Sequence, residues 1–150
     1  MISNEIRRKL QNIIRGALVE GEKDHCSAIR NLLLQSFGSS PTIKREFESR
    51  SVLKEEQAYL LKSHAKNNNF WIPSLSSGNQ YLTRGGESEI FLATDHRHVI
   101  KINDAIYYAT WLEYFNSLVI HNLLFPSTAY EFLGFTSCKE NALCIILKQP

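Results

Sequence analysis

Apolar residues recur at three- and four-residue steps along the start of the chain. Ile6, Leu10, Ile13, Ile14, Ala17 and Leu18 fall on one side of a helical projection of residues 4–19, with Arg7, Arg8, Gln11 and Arg15 on the other. This spacing predicts an amphipathic helix whose pattern breaks around Gly21. A second helix is expected from about Asp24 to Phe37, carrying Ile29, Leu32, Leu33 and Leu34 and stopped by the loop Gly38–Pro41, so that two short helices run antiparallel. Residues 51–66 predict a third. Ser51 opens it with an imperfect capping box, Leu53, Ala58, Leu60 and Leu61 supply its apolar side, and the asparagine run Asn67–Asn69 ends it.

From residue 80 the period becomes that of strands. "QYLT" leads to a glycine pair, "SEIFLAT" alternates, "DHR" makes a tight turn and "HVIKIN" alternates again, which predicts a three-stranded meander. Residues 106–124 then predict a long helix with Trp111, Leu112, Phe115, Leu118, Val119 and Leu123 along one stripe, closed by Pro126. "AYEFLGF" and "ALCIILK" predict two further strands around the polar turn Ser137–Asn141. The fold class is therefore α+β, with an N-terminal helical region over residues 1–69 and a domain over 70–150 built on a five-stranded antiparallel sheet with one long helix. The boundary falls in the turn-rich passage 69–79.

Composition narrows the classes of partner. A net charge of +2 is too small to imply nucleic acid, although Arg7, Arg8, Lys9 and Arg15 face only Glu5 among the acids of the first helix and give DNA weak support. Cys26, Cys138 and Cys144 form neither an even set nor a C-x-x-C pair, so reduced thiols in a cytoplasmic protein are expected, with no disulfide and no metal site. No segment reaches the roughly 18 apolar residues of a membrane span, and the charged start lacks the apolar core of a signal peptide, so no membrane partner is expected.

The candidate chemistry lies in "RGGESEIFLATDHRHVIKIND", residues 84–104. Glycines such as Gly85 and Gly86 let backbone N–H groups approach phosphate oxygens, and a lysine such as Lys101 on a neighbouring strand supplies a compact positive charge. Glu113 is the one carboxylate between Asp104 and Glu131, about two turns into the expected helix. Plainer readings stand beside these: a glycine pair that supplies positive φ to a hairpin, a lysine reaching solvent, a solvated glutamate, His121 and Asn122 in capping or packing, and Tyr107, Tyr108, Trp111, Tyr114 and Phe115 as core.

The strand order, the glycines and Val99-Ile100-Lys101 resemble the small lobe of a protein kinase. Gly85-Gly86-Glu87-Ser88, Ile100-Lys101, His121-Asn122, Phe125-Pro126 and Gly134-Phe135 resemble, more closely, the kinase-like domains found in polyvalent proteins of bacterial phages and conjugative elements. The resemblance implies ATP, with Mg, as the ligand. It places Gly85, Gly86 and Ser88 over the phosphates, Lys101 on them, Glu113 as the group that orients Lys101, and Lys148, Gln149 and Pro150 at the adenine edge. The chain also departs from the kinase pattern. The loop lacks the third glycine of G-x-G-x-x-G, the last aspartate is Asp104, and the chain stops where the fifth strand would enter the hinge between lobes. The expectation is an incomplete nucleotide-binding lobe that catalyses nothing alone. Its apolar sheet underside is expected to drive self-association or to take a partner chain. The alternative is a non-enzymatic module of a mobile element that binds protein or DNA on the same scaffold.

Overall fold

The computed structural model describes residues 3–18, 24–38, 47–75 and 77–150. Side chains set the helix starts: Ser3 Oγ accepts from Ile6 N at 3.1 Å to open α1, Asn4–Ile14, and Asp24 Oδ1 accepts from Ser27 N at 2.9 Å to open α2, His25–Leu33. A π-turn, Leu34–Gly38, follows α2. Helix α1 ends earlier than its apolar pattern predicts. Gly16 has φ 74°, its N–H bonds Ile13 O, and Ala17 N bonds Asn12 O, a Schellman closure that stops the helix before Leu18 can join it. Ile13 is consequently buried, whereas Ile14 is 79% exposed. The expected break at Gly21 and most of the expected stop at Gly38–Pro41 lie outside the described residues.

Helix α3, Phe47–Asn67, starts before Ser51, so the expected cap at that residue is a position inside the helix. Its end is as expected. Asn69 has φ 62°, Phe70 N bonds Ala65 O at 2.8 Å, and Asn68 Nδ2 donates to His64 O at 2.8 Å, the same closure with asparagine in glycine's place.

By packing, the chain forms two units, one of residues up to Gln57 with Ala109–Ala129, the other of Ala58–Tyr108 with Tyr130–Pro150. In the first, α1 and α2 both pack on α4, Trp111–Leu124. Cys26, Ile29 and Leu33 of α2 and Trp111, Tyr114, Phe115, Leu118 and Val119 of α4 are buried. Arg30 is buried completely and its acceptors are neutral: Asn116 Oδ1 at 2.7 Å, Ala17 O at 2.6 Å and Ile13 O at 3.4 Å. The guanidinium thereby serves the carbonyl end of α1, where a cation is favoured. Burial lowers its pKa.

Helix α4 begins at Trp111, five residues later than expected. Asn103 Oδ1 accepts from Ala105 N at 2.6 Å and Asp104 Oδ1 from Ile106 N at 3.0 Å, which commits this stretch to a turn with Ala105 at φ 57°. Thr110 then caps the helix, its Oγ1 accepting from Glu113 N at 3.1 Å. A second cap comes from α3: Gln57, 1% exposed, turns its Oε1 to the N–H groups of Trp111 at 2.8 Å and Leu112 at 3.3 Å. Among the described residues, no helix is long and apolar enough to cross a membrane.

The second unit is built on an antiparallel sheet of β1 Gln80–Arg84, β2 Ser88–Leu92, β3 Val99–Asn103, β4 Glu131–Ser137 and β5 Leu143–Gln149, in the order β1-β2-β3-β5-β4. Ala93, Ile100 and Ile146 form a buried cluster on one face, packed by Ile72, Leu75, Phe91, Ile102 and Leu133. A register shift between Phe132 and Gly134 lets Phe132 and Phe135 share the other face, opposite Leu147 and Ile145, with ring centroids 5.2 Å apart. The same bulge admits the segment after α3. Ile72 N bonds Phe135 O and Phe135 N bonds Phe70 O, both at 2.8 Å, and the Phe70 carbonyl lies where a side chain at Gly134 would begin.

Two features of the sheet correct or complete the sequence reading. Cys138 and Cys144 are joined as a disulfide, not the two reduced thiols expected, because the β4–β5 hairpin returns the chain beside itself and sets their Cα atoms 6.0 Å apart. Cys26 is a free, buried thiol, and burial pushes its pKa up to about 12. At the β2–β3 turn, Asp95 Oδ1 accepts from Arg97 N at 2.8 Å and His98 N at 3.0 Å, while Oδ2 meets His98 Nδ1 at 2.6 Å and Lys148 Nζ at 3.7 Å. The Arg97 N–H foremost, then His98, hold this carboxyl down to about 2.

These contacts set three stability tests. Gln57→Leu strands two N–H groups at the start of α4 and is expected to cost about 1–3 kcal/mol in urea unfolding. Gly134→Ala forces the Phe70 strand off β4 and is expected to cost about 2–3 kcal/mol by the same assay. Because the folded pKa of Asp95 lies below the ordinary 3.8, its contribution is complete above that value and disappears as pH falls through about 2. The gap in unfolding midpoint between wild type and Asp95→Asn should therefore close over that window; a gap that stays constant would show that the turn does not depend on the charge.

Candidate functional site

Strand parity decides which candidate residues meet. Lys101 lies opposite Ile90 on β2 and Leu147 on β5, so its side chain shares a face with Ser88, Ile90 and Leu92, with Val99 and Asn103, and with Leu147 and Gln149. The hydrogen bond from Asn103 Nδ2 to Ser88 Oγ, 3.2 Å, confirms the shared face. Lys148 is opposite Ile100 and lies on the reverse face, where its ammonium approaches Asp95. Ser88, Lys101 and Gln149 are thus brought to one side and Lys148 to the other. A cavity of about 270 Å³ also opens on that reverse face, lined by Leu75, Glu89, Phe91, Ile102, Thr136 and Ile146, and so lies away from Lys101.

Gly85 and Gly86 form the β1–β2 turn, closed by Gly85 N to Ser88 O at 2.8 Å. Neither has positive φ, contrary to the hairpin reading of the pair. A Cβ at Gly85 would make ordinary contacts with Ile90 and Ser88, and one at Gly86 would meet nothing within 4 Å. The fold therefore demands glycine at neither position, in contrast to Gly134. Glu89 at the foot of the turn pairs with Arg84 at 3.3 Å, on the face opposite Lys101.

Lys101 is half-buried, and among the described residues of its own unit it has no carboxylate partner; its Nζ lies 5.4 Å from the centroid of the Tyr130 ring. Glu113 belongs to the other unit, is exposed, and sits in the first turn of α4 rather than two turns in. Thr110-x-x-Glu113 reads as a capping box, a signal present in the sequence but outweighed by Ile106, Tyr107 and Tyr108, which extend the apolar pattern upstream of it. Tyr107 is in fact 67% exposed, whereas Trp111, Tyr114 and Phe115 are core. His121 Nε2 meets Thr128 O at 3.1 Å and its ring lies 5.4 Å from that of Phe125, so it braces the turn after α4. The contact of Tyr130 with Lys101 is not among the sequence expectations. Its signal is a register two strands away, which no local pattern carries.

In the same unit, Lys62 and Lys66 stand over the Trp71 indole at 5.5 and 5.3 Å. Among the described residues no group of His, Cys, Asp and Glu is arranged to hold a metal ion.

The chain matches neither a curated protein nor a solved structure. A family model described as a serine/threonine/tyrosine kinase found in polyvalent proteins matches residues 54–150, a span that holds the whole sheet, the glycine turn, Lys101 and α4. The chain belongs to this family of kinases of polyvalent proteins.

Proposed function

We propose that the chain is a kinase-like nucleotide-binding domain of a mobile-element protein, of the small-lobe type, which takes ATP with Mg on the Lys101 face of the sheet. The observation that carries this reading is the pairing of a turn whose two glycines the fold does not require with a lysine on the adjoining strand pair, on the face that Ser88 also occupies. Backbone without side chains can approach phosphate oxygens closely, and the ammonium supplies the countercharge. Leu92 and Val99, half-buried on the same face, offer an apolar surface for the base, with Gln149 at its edge.

Lys148 fits the adenine edge through its backbone alone, since its side chain lies on the reverse face. When bound, Mg would supply positive charge that offsets that of the phosphates. Beyond Asp104 the chain has no aspartate to position an attacking hydroxyl or hold that metal, so these residues bind and orient a nucleotide without completing transfer.

The test is the thermal midpoint with and without millimolar ATP and Mg in wild type, Lys101→Met and Gly86→Ala. A ligand present at about 100 times its Kd stabilises by about 2.7 kcal/mol, so the wild type should gain several degrees and Lys101→Met should not. Gly86→Ala should be as stable as wild type without ligand, or more so by about 0.4–1 kcal/mol, and yet gain less from ATP. Equal midpoints with and without ATP in wild type would refute nucleotide binding and leave the scaffold reading, in which the lobe serves a partner chain or DNA.

A further inference from the structure

The strand order explains why Lys101 reaches Tyr130, and the reach has a direction. Lys101 on β3, Leu147 on β5 and Phe132 on β4 form one row across the sheet. Tyr130 immediately precedes β4, two residues before Phe132, and its ring meets Lys101. The lysine stem therefore crosses β5 to place its ammonium 5.4 Å from the ring centroid. The Gly85–Gly86 turn joins β1 and β2, on the opposite side of β3. The ring draws the ammonium toward β4, away from the glycines.

We propose that Tyr130 is a positioning residue that parks the Lys101 ammonium and competes with nucleotide phosphate for it. This rests on the nucleotide-binding reading of the same face. The electron-rich ring face attracts the ammonium without neutralising it, so the lysine keeps its full charge and leaves the ring when a phosphate offers a stronger, charge-assisted partner. A carboxylate in that place would bind the ammonium more tightly and cancel its charge toward the ligand. The ring thus sets a modest threshold on phosphate binding.

The test compares Tyr130→Leu, Tyr130→Phe and Tyr130→Trp in the full chain by two readouts. The first is the acylation rate of Lys101 relative to exposed Lys139, followed by peptide mass spectrometry without nucleotide. The second is the Kd for ATP with Mg by calorimetry. Removing the ring in Tyr130→Leu should speed Lys101 acylation and tighten ATP binding roughly two- to five-fold, the size of an exposed cation–π contact. Tyr130→Phe, which keeps a ring and loses the hydroxyl, should match wild type in both. Tyr130→Trp, the stronger cation–π ring, should slow acylation and weaken ATP, which keeps the test decisive should the leucine variant fold poorly. Acylation that is the same in all four proteins overturns the parked lysine. Acylation that follows the ring while the ATP Kd stays constant overturns the competition. Acylation that follows the ring while ATP binds none of the proteins overturns the competition together with the nucleotide reading beneath it, and leaves the ring contact itself standing.

Discussion

The site depends on the register of β3. That strand is hydrogen-bonded on both sides, to β2 and to β5, and a slip of one residue would carry Lys101 to the reverse face and bring Ile100 to the front. Several interactions oppose a slip. Ile100 is buried in the cluster with Ala93 and Ile146, Asn103 joins Ser88 Oγ at one end, and Asp95 closes the turn at the other while reaching Lys148 on β5. Apolar burial on one face thereby fixes the identity of the polar face, and a side chain as flexible as lysine is aimed by residues that never touch it.

Glycines in this chain answer two different demands. At Gly134 the demand is internal: the Phe70 carbonyl occupies the place of a side chain, and the two hydrogen bonds that tie Phe70–Ile72 to Phe135 require the approach. At Gly85 and Gly86 there is no such demand, since neither φ nor space excludes alanine. A residue that costs backbone entropy and returns nothing to the fold points to something outside the fold. Glu113 stands in a comparable position. As the acid of the Thr110 capping box, it has a sufficient local reason in α4, so its place there is explained with or without a lysine partner.

The periodicities carried the architecture. Five strands lie where alternation places them and α4 lies within the stretch its helical spacing marks, since Ile90 to Leu92, Val99 to Ile102 and Trp111 to Val119 each obey one period. The features that periodicity misses are of two kinds. Some signals are local and present but outweighed by apolar residues nearby: Gly16 ends α1 although Ala17 and Leu18 continue its stripe, and Thr110-x-x-Glu113 starts α4 although Ile106 to Tyr108 look helical. Others exist only once strands pair. Counting cysteines could not join Cys138 to Cys144, because the hairpin that places them together is a tertiary fact, and Lys148 and Gln149, adjacent in sequence, part to opposite faces only when β5 is in the sheet.

Buried cations and the candidate lysine show the same preference for neutral partners in two settings. Arg30 is desolvated completely and satisfied by carbonyl and amide oxygens, whose partial charges lie at the end of α1 and on Asn116. That arrangement is permanent, since the guanidinium has several directed donors and each is met in place. Lys101 meets a ring face instead, with a weaker and less directed attraction, at a position only half-buried. A cation that holds helices together is enclosed by many hydrogen bonds, whereas one that moves to a ligand, as we propose for Lys101, is held by a single contact that it can leave.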